Sequence, residues 1–325
     1  MKATAIAPSN IAFIKYWGKK DEELRLPENG SISMNLNNLY TTTTVEFAAK
    51  YIRDLVVIDG KKSEKETRRV IKHLDRIRKI AKTTFKAKVV SKNNFPSSTG
   101  LSSSASGFAA LTLAAVKAAG LNLSEKHLTI LARQGSGSAC RSIPDGFVEW
   151  LEGKTNETSY AYSLYPSNYW DILDIVVLIS KDKKDISSTE GQKLTKTSPF
   201  YKVRLSNINK KLKSCKEFLN KKNFSEFGKL IEAETLELHA IMLTSSPSLI
   251  YWSPGTIQIM RLVKKWRNEG VPVYFTVNTG QDIHLIVEGE NRENLLEKLK
   301  EVKEIKKVIV NNQSIGARLI NKHLF

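Results

Sequence analysis

The stretch PSSTGLSSSASGFAAL, residues 96–111, concentrates small hydroxyl side chains directly before an alanine-rich apolar run. Pro96 interrupts strand pairing, and Gly100 permits a turn that other residues resist. The helix that follows offers unpaired backbone N–H groups and a positive dipole end to an anion. Serine hydroxyls can add phosphate contacts or hold Mg²⁺. The stretch therefore predicts binding of a polyphosphate, through the loop residues Ser97, Ser98, Gly100, Ser102, Ser103 and Ser104.

Two other interpretations of this loop bear on the prediction. The loop does not end in Gly-Lys-Ser/Thr, which excludes a Walker A motif. A serine-rich helix cap and turn without any ligand would have the same composition, and the loop by itself does not decide between that structural role and phosphate binding.

The net charge of +18 would suit a nucleic-acid partner, but its distribution argues against one. The densest basic stretches, 61–82 and 209–223, carry apolar residues at helical spacing and predict the solvated faces of amphipathic helices. Aromatic residues are not interleaved with the basic ones, as a single-strand stacking surface requires. We therefore expect no nucleic-acid partner, and a basic surface that attracts a polyanionic small substrate.

The sequence also bears on compartment and redox state. No apolar run approaches the roughly 20 residues of a membrane span, and the N-terminus lacks the apolar core of a signal peptide. Cys140 and Cys215 belong to no C-x-x-C pair or metal-ligand cluster. We expect a cytoplasmic protein with no membrane partner and two buried free thiols, with a disulfide as the alternative.

The pattern along the chain predicts an α+β fold in two halves, with a boundary near 182 and a cleft between them. Predicted strands lie at 3–8, 39–47, 55–62, 85–95, 146–153, 171–180, 271–278, 283–288 and 305–311. The third is expected to form a hairpin through its Asp-Gly turn, and the sixth to be buried on both faces. Predicted helices lie at 63–82, 103–119, 124–134, 205–221, 224–243, 255–269 and 291–302. The polar stretch 180–199 is expected to be a functional or linking connection.

Several stretches, in chain order, resemble the ATP-dependent mevalonate diphosphate decarboxylases of the GHMP kinase superfamily. They are APSNIAFIKYWGKKDEELRLPENGSISMNL (7–36), the serine loop, RQGSGSACRSIPDGFVEW (133–150), TSP (197–199) and YFTVNTGQDIHLIVE (274–288). The resemblance covers nearly the whole chain. It implies a two-domain GHMP-kinase-like fold, with an ATP-binding domain at 1–182, a second α+β domain at 183–325 and the active site in the cleft. It also implies a homodimer.

The resemblance further implies an activity. The family binds Mg-ATP and a C3-hydroxy acid bearing a phosphate chain, phosphorylates the tertiary hydroxyl, and then releases phosphate and carbon dioxide to leave an alkene. For this chain it implies ATP and Mg²⁺ as cofactors. The substrate would be mevalonate 5-diphosphate or 5-phosphate, and the product isopentenyl diphosphate or isopentenyl phosphate, in isoprenoid biosynthesis. Catalysis of such a transfer is mainly positioning and charge stabilisation.

Site residues carry over from the family where this sequence matches its motifs. Lys15 matches a lysine beside the reacting centre, and Tyr16 and Lys19 match contacts to the substrate phosphates. Arg141 matches the arginine that holds the substrate carboxylate, with a structural ion pair as the alternative role. The remaining matches are Ser103 and Ser104 at the ATP phosphates and Mg²⁺, and Ser136, Ser138 and Ser188 beside the substrate.

One departure concerns the catalytic carboxylate. The family's last motif usually reads Asp-Ala-Gly-Pro-Asn, whereas this chain has Asn278 at the aspartate position. An amide can orient a hydroxyl but cannot take its proton. Either the proton leaves to phosphate or water, or Asp145 or Asp282 supplies the missing negative charge. The alternative for both aspartates is an ordinary turn residue.

A second departure concerns substrate phosphate number. Diphosphate-using members tend to have Ser-Ser-Arg where this chain has Ser188, Thr189 and then Glu190. Replacing a bidentate cation by a neutral residue and an anion should weaken binding of the outer phosphate. This favours the 5-phosphate, while the overall resemblance favours the 5-diphosphate. Two other functions stay open: a 3-kinase that does not decarboxylate, and an inactive relative acting as a binding protein.

Overall fold

The computed structural model describes residues 1–95, 100–179 and 186–325. Ser97, Ser98 and the boundary expected near 182 lie outside the described residues. The strands are β1 (Lys2–Ile14), β2 (Lys19–Asp21), β3 (Leu26–Pro27), β4 (Ser31–Phe47), β5 (Leu55–Ile58), β6 (Ala87–Asn93), β7 (Phe147–Trp150), β8 (Ala161–Tyr165), β9 (Ile172–Leu178), β10 (Val273–Thr276), β11 (Ile283–Glu288), β12 (Lys307–Asn311) and β13 (Arg318–Ile320). The helices are α1 (Glu64–Ala81), α2 (Ser103–Ala118), α3 (Glu125–Gly135), α4 (Ser188–Gly191), α5 (Tyr201–Lys221), α6 (Phe224–Leu243), α7 (Pro254–Asn268) and α8 (Arg292–Lys300).

A larger sheet is formed mostly by strands from the first half of the chain, in the order β13-β1-β4-β6-β5, with β7 paired to β4 and β8 to β7. The long strands β1 and β4 run antiparallel along most of their length. The hairpin expected from the Asp-Gly turn after β5 is wrong, because β5 pairs in parallel with β6. The cause is α1, which follows the turn and carries the chain back so that β6 starts from the same end of the sheet as β5.

A smaller antiparallel sheet has the order β10-β11-β9-β12. All seven residues of β9 are buried, which confirms the expectation of a strand covered on both faces. Ile172 and Val176 on one face join an apolar core shared with β1 and β4, while Leu173 and Ile175 on the other face join a core with α7 and α8. The predicted strand pair at 271–288 is confirmed as the hairpin β10–β11.

The two sheets exchange chain segments on both sides of position 182. Strand β9 comes before that position but belongs to the smaller sheet. Strand β13, near the end of the chain, pairs with β1 in the larger sheet. The pairing of β1 with β13 joins residues more than 300 positions apart, which local sequence patterns do not report.

The predicted helices are confirmed within a few residues of their ends. Ser63 caps α1 and Ser124 caps α3, each accepting from a backbone N–H of the first turn. Cys140 and Cys215 are buried free thiols, as expected. Within the described ranges, no helix combines the length and the apolar character needed to cross a bilayer.

Candidate active site

Lys15 directly follows β1, and its backbone is held by a buried ion pair from two other helices. Its N–H donates to Glu234 Oε1 on α6 at 3.0 Å, and its carbonyl accepts from Arg204 on α5 at 2.9 Å. Arg204 and Glu234 contact each other at 2.6 Å, and neither side chain is exposed. Asn29 donates to the same carbonyl at 2.8 Å. The position of Lys15 is therefore determined from three directions.

The Lys15 ammonium group lies between the ends of β1 and β10. Nζ donates to Thr276 Oγ1 at 2.6 Å and to Asn278 Oδ1 at 3.1 Å, and Thr276 in turn bonds the hydroxyl of Thr235 at 2.9 Å. Burial of this group lowers the pKa of Lys15 to about 7, against the opposing charge of Glu234. Lys15 is therefore partly neutral near pH 7.

Asn278 connects the two sheets. Its Oδ1 accepts from Lys15, its Nδ2 donates to Ser102 Oγ at 3.3 Å, and its backbone carbonyl accepts from His239 at 3.0 Å. Burial lowers the pKa of His239 to about 3, so the ring is neutral and donates through Nε2. The amide orientation follows from these partners, and the structure brings Lys15 and Asn278 together as the resemblance implies.

Arg141 lies on a short 3-10 helix, Gly137–Ser142, and is buried without a carboxylate partner among the residues described. Its guanidinium donates to Ser31 Oγ at 2.7 Å and to Asn10 Oδ1 at 3.2 Å, while Nε has no partner there. It also lies 5.9 Å from the ring of Trp150. Burial lowers the pKa of Arg141. A buried cation held only by neutral groups is suited to an anionic ligand.

Tyr16 packs beside this 3-10 helix. Its ring lies edge-on to Trp150, with 4.6 Å between the ring centroids. A Cβ at Gly137 would lie 2.7 Å from the Tyr16 ring. The hydroxyl is buried, and none of the described residues hydrogen-bonds it. Ser136 follows α3 and accepts from Ser104 at 3.0 Å, and the Ser138 carbonyl accepts from Asn10 at 3.2 Å. These neighbours of Arg141 are the ones implied for substrate contact.

Lys19 is buried and is paired with Glu22 at 2.7 Å. Burial lowers the pKa of Lys19, and the hydrogen bond to Glu22 opposes that effect. Arg25 is a neighbour that sequence reasoning missed: its charge acts on Tyr16 and Lys19, and its Nε donates to Gln134 O at 3.1 Å. A phosphate bound beside Tyr16 would therefore have the Arg25 guanidinium close to it.

The loop before α2 reaches the opposite half of the molecule. Gly100 has φ +112°, as expected for a turn that favours glycine, and a Cβ there would lie 3.0 Å from Gly280 Cα. Ser102 precedes α2 with a left-handed backbone, φ 57°. Ser104 accepts from Arg69 of α1 at 3.1 Å. Arg69 is a second cation that the sequence reasoning missed.

The structure does not bring Asp145 to these residues. Its side chain is exposed and accepts from the Gly316 N–H at 2.6 Å. Its charge acts on Glu125, which begins α3, whereas Ser136 and Arg141 follow the other end of that helix. Eleven residues of helix separate those ends by about 16 Å.

Asp282 and Ser188, two further residues expected at the site, lie beside the Thr279–Gly280 turn. Asp282 is buried and accepts from the Ile179 N–H at 3.3 Å, so it supports the backbone directly after β9. Ser188 begins α4 and hydrogen-bonds the hydroxyl of Thr279. Both positions border the turn that carries Asn278.

Comparisons with known proteins identify the family of this chain. Residues 7–161 match the family described as Diphosphomevalonate decarboxylase-like N-terminal domain, and residues 174–321 match the Mevalonate 5-diphosphate decarboxylase C-terminal domain. The chain is 35% identical to the diphosphomevalonate decarboxylase of Debaryomyces hansenii, over 90% of this chain and 81% of the relative.

Two further relatives bear on the substrate. The phosphomevalonate decarboxylase of Haloferax volcanii is 33% identical, over 88% of each chain. A solved structure of MDDEF in complex with MVAPP, AMPPCP and magnesium aligns with a TM-score of 0.93 at 43% identity, covering 98% of this chain and 99% of that one.

Proposed function

The chain belongs to the diphosphomevalonate decarboxylase family, and from this we propose that it is an ATP-dependent decarboxylase of 5-phosphorylated mevalonate. It would phosphorylate the C3 hydroxyl and then eliminate phosphate and carbon dioxide, leaving the isopentenyl double bond. The observation that carries this proposal is Arg141, a buried guanidinium that no carboxylate neutralises within the described part of the chain.

Arg141 supports carboxylate recognition for a physical reason. A planar guanidinium with an unused N–H can pair with both oxygens of a carboxylate. In the proposed reaction the substrate carboxylate leaves as carbon dioxide. Holding it there would place the C3 hydroxyl, which receives the phosphoryl group, next to Lys15 and Asn278.

The start of α2 supports ATP binding. The helix offers its N-terminal N–H groups there, and the Ser104 hydroxyl and the Arg69 guanidinium meet beside them. Ser104 accepts from Arg69 and donates to Ser136, which leaves one lone pair for a metal. That oxygen fits Mg²⁺, which takes oxygen ligands and draws most of them from phosphates and water. Bound Mg²⁺ would neutralise charge on the phosphates of ATP.

For the phosphate number we infer the 5-phosphate, from the residues at the start of α4. Glu190 accepts from the Ser187 hydroxyl and N–H, and these bonds lower the pKa of Glu190, so it is anionic at neutral pH. Thr189 stands where diphosphate users commonly have an arginine. An outer phosphate would therefore be repelled by Glu190 and would lack the bidentate contact of that arginine.

The 5-diphosphate is the second candidate, and two observations favour it. The similar MDDEF structure is a complex with MVAPP. The charge of Arg25 acts on both Tyr16 and Lys19, and it is positive charge that a second phosphate could use.

A product assay tests the proposal. Purified protein is incubated with Mg-ATP and, separately, mevalonate, its 5-phosphate and its 5-diphosphate, and ADP and carbon dioxide are measured together. Equal release of both from the 5-phosphate is the expected result. ADP without carbon dioxide would identify a 3-kinase. This outcome is tested because Asn278 replaces the aspartate that the family usually has. An Arg141→Met variant controls for contaminating ATPase. The expected homodimer is checked separately by sedimentation velocity.

A further inference from the structure

We propose that the Lys15 amine, in its neutral form, accepts the proton of the substrate C3 hydroxyl, because residue 278 is an amide. The inference rests on the proposed function and deepens it. It assigns the role that the resemblance gives to an aspartate to a different residue of the same site.

The hydrogen bonds around Lys15 suit a neutral amine. Nζ has two acceptors among the described residues, Thr276 Oγ1 at 2.6 Å and Asn278 Oδ1 at 3.1 Å, and both are neutral. A neutral amine has two N–H groups, so these bonds use both of them and leave its lone pair for a third direction. A carboxylate at 278 would instead form an ion pair and stabilise the ammonium.

The anions around Lys15 are already paired. Glu234 contacts Arg204 at 2.6 Å and Lys211 at 2.9 Å. Asp174 contacts His284 at 2.9 Å. Glu234 still raises the pKa of Lys15, but it is shared with Arg204 and Lys211, so it only partly offsets the effect of burial.

The other charged groups oppose an ammonium as well. The positive charges of Arg141 and Arg204 both lower the pKa of Lys15, and His239 is neutral. Together with burial, these charges bring the pKa of Lys15 to about 7, so the neutral form is populated at neutral pH.

In the proposed reaction Lys15 first takes up a proton and later returns it. The O–H bond of the C3 hydroxyl breaks and its proton passes to the Lys15 lone pair. The oxygen forms a bond to the γ-phosphorus while the bond from that phosphorus to ADP breaks. In the elimination the C3–O bond breaks and inorganic phosphate leaves. The C1–C2 electron pair forms the new double bond and carbon dioxide leaves, and the ammonium returns its proton to the departing phosphate.

The decisive comparison is between the wild type and Asn278→Asp. In the wild type, kcat/KM should rise with pH with a midpoint near the pKa of about 7. In N278D the new carboxylate becomes the base and the rise near pH 7 should vanish, leaving activity at pH 6. Substrate phosphate also titrates near pH 6, at about its second pKa. Because the substrate is the same for both proteins, a rise that persists in N278D comes from the substrate and overturns the proposal.

A second comparison separates chemistry from packing. Arginine cannot give up its proton, so Lys15→Arg should lower kcat by about 100-fold or more in the wild-type background. In the N278D background the same substitution should cost roughly tenfold less, because the introduced carboxylate would then supply the base. Equal losses in the two backgrounds would mean that Lys15 acts only structurally, and would overturn the proposal.

A direct titration keeps the inference testable whatever the turnover. Lysine labelled with ¹³C at Cε is followed by NMR in the free enzyme, and Lys15 is assigned by comparison with K15R. A midpoint near 7 that rises in N278D is expected. A midpoint near the ordinary lysine value of about 10.4 would overturn the inference. If Lys15 titrates near 7 but no substrate turns over, the proposed function fails while the property of Lys15 stands.

Discussion

Substitution of Glu234 by glutamine tests whether the buried ion pair holds Lys15 in place. Glu234 accepts from the Lys15 N–H, from Arg204 and from Lys211. Glutamine keeps the size and one acceptor oxygen but removes the charge. Arg204 would then be a buried cation whose strongest partner is gone.

Removing one member of a buried pair destabilises a protein by about 3–5 kcal/mol, because the remaining charge is uncompensated. With about 2.1 cal/mol/K of unfolding entropy per residue over 325 residues, this corresponds to a fall in Tm of about 4–7 °C. Stability is measured by urea unfolding, and Tm by calorimetry. Glu226→Gln is the matched control on the same helix, because an exposed, solvent-screened pair such as Glu226–Lys229 contributes little to stability.

The pH dependence gives a second signature. Burial alone would raise the pKa of Glu234, but Arg204 and Lys211 outweigh it and hold the pKa below its ordinary value. The stabilisation from this carboxylate is therefore present above that ordinary value and is lost as the pH falls through the folded-state pKa. The difference between wild type and E234Q should be full at pH 7 and shrink below about pH 4.

Catalysis supplies a third readout of the same variant. Glu234 is the main charge that raises the pKa of Lys15. Its loss should move the rise of kcat/KM to lower pH. Equal stability of E234Q and E226Q at pH 7, with an unshifted pH profile, would refute the reasoning about the buried pair.

Three further predictions concern the binding site. Arg141→Lys keeps the charge but loses the planar fork, so kcat/KM should fall by roughly 30- to 1,000-fold, equivalent to about 2–4 kcal/mol, in steady-state assays, with Tm as the control for folding. Thr189→Arg should raise the ratio of kcat/KM for the 5-diphosphate to that for the 5-phosphate by about tenfold or more. An unchanged ratio would show that residue 189 does not determine the phosphate number. Gly100→Ala should destabilise by about 1–3 kcal/mol and weaken ATP binding, because φ is +112° and the new Cβ would meet Gly280. Calorimetry and nucleotide titration measure its two effects.

Local patterns in the sequence were sufficient to predict most of the helices and strands. The helices α1, α3 and α6 begin and end within a residue or two of the predicted limits, because caps and apolar periodicity are local signals. The strongly apolar run at β9, interrupted only by Asp174, correctly indicated burial on both faces. The hairpin predicted from the Asp-Gly turn after β5 was wrong. A turn shows that the chain reverses, but it does not show which strand β5 pairs with.

The site residues divide in the same way. Motifs with fixed spacing identified Lys15, Tyr16 and Arg141, which lie together in the structure, whereas Asp145 was proposed from its place in a motif and lies on the surface. Nothing in the local sequence around Arg69 or Arg25 distinguishes them from the many other basic residues. Their nearness to Ser104 and Tyr16 comes from packing.

The sequence by itself determined the residue types at the reacting centre, including the amide at Asn278. Only the tertiary structure decided what surrounds Lys15. Thr276 and Asn278 lie more than 260 positions from Lys15 along the chain. Arg204 lies 189 positions away and Glu234 lies 219 positions away. The physical reason is that a pKa depends on burial and on the charges within a few ångströms. Those distances are set by how β1, β10, α5 and α6 pack together, and no stretch of neighbouring residues contains them.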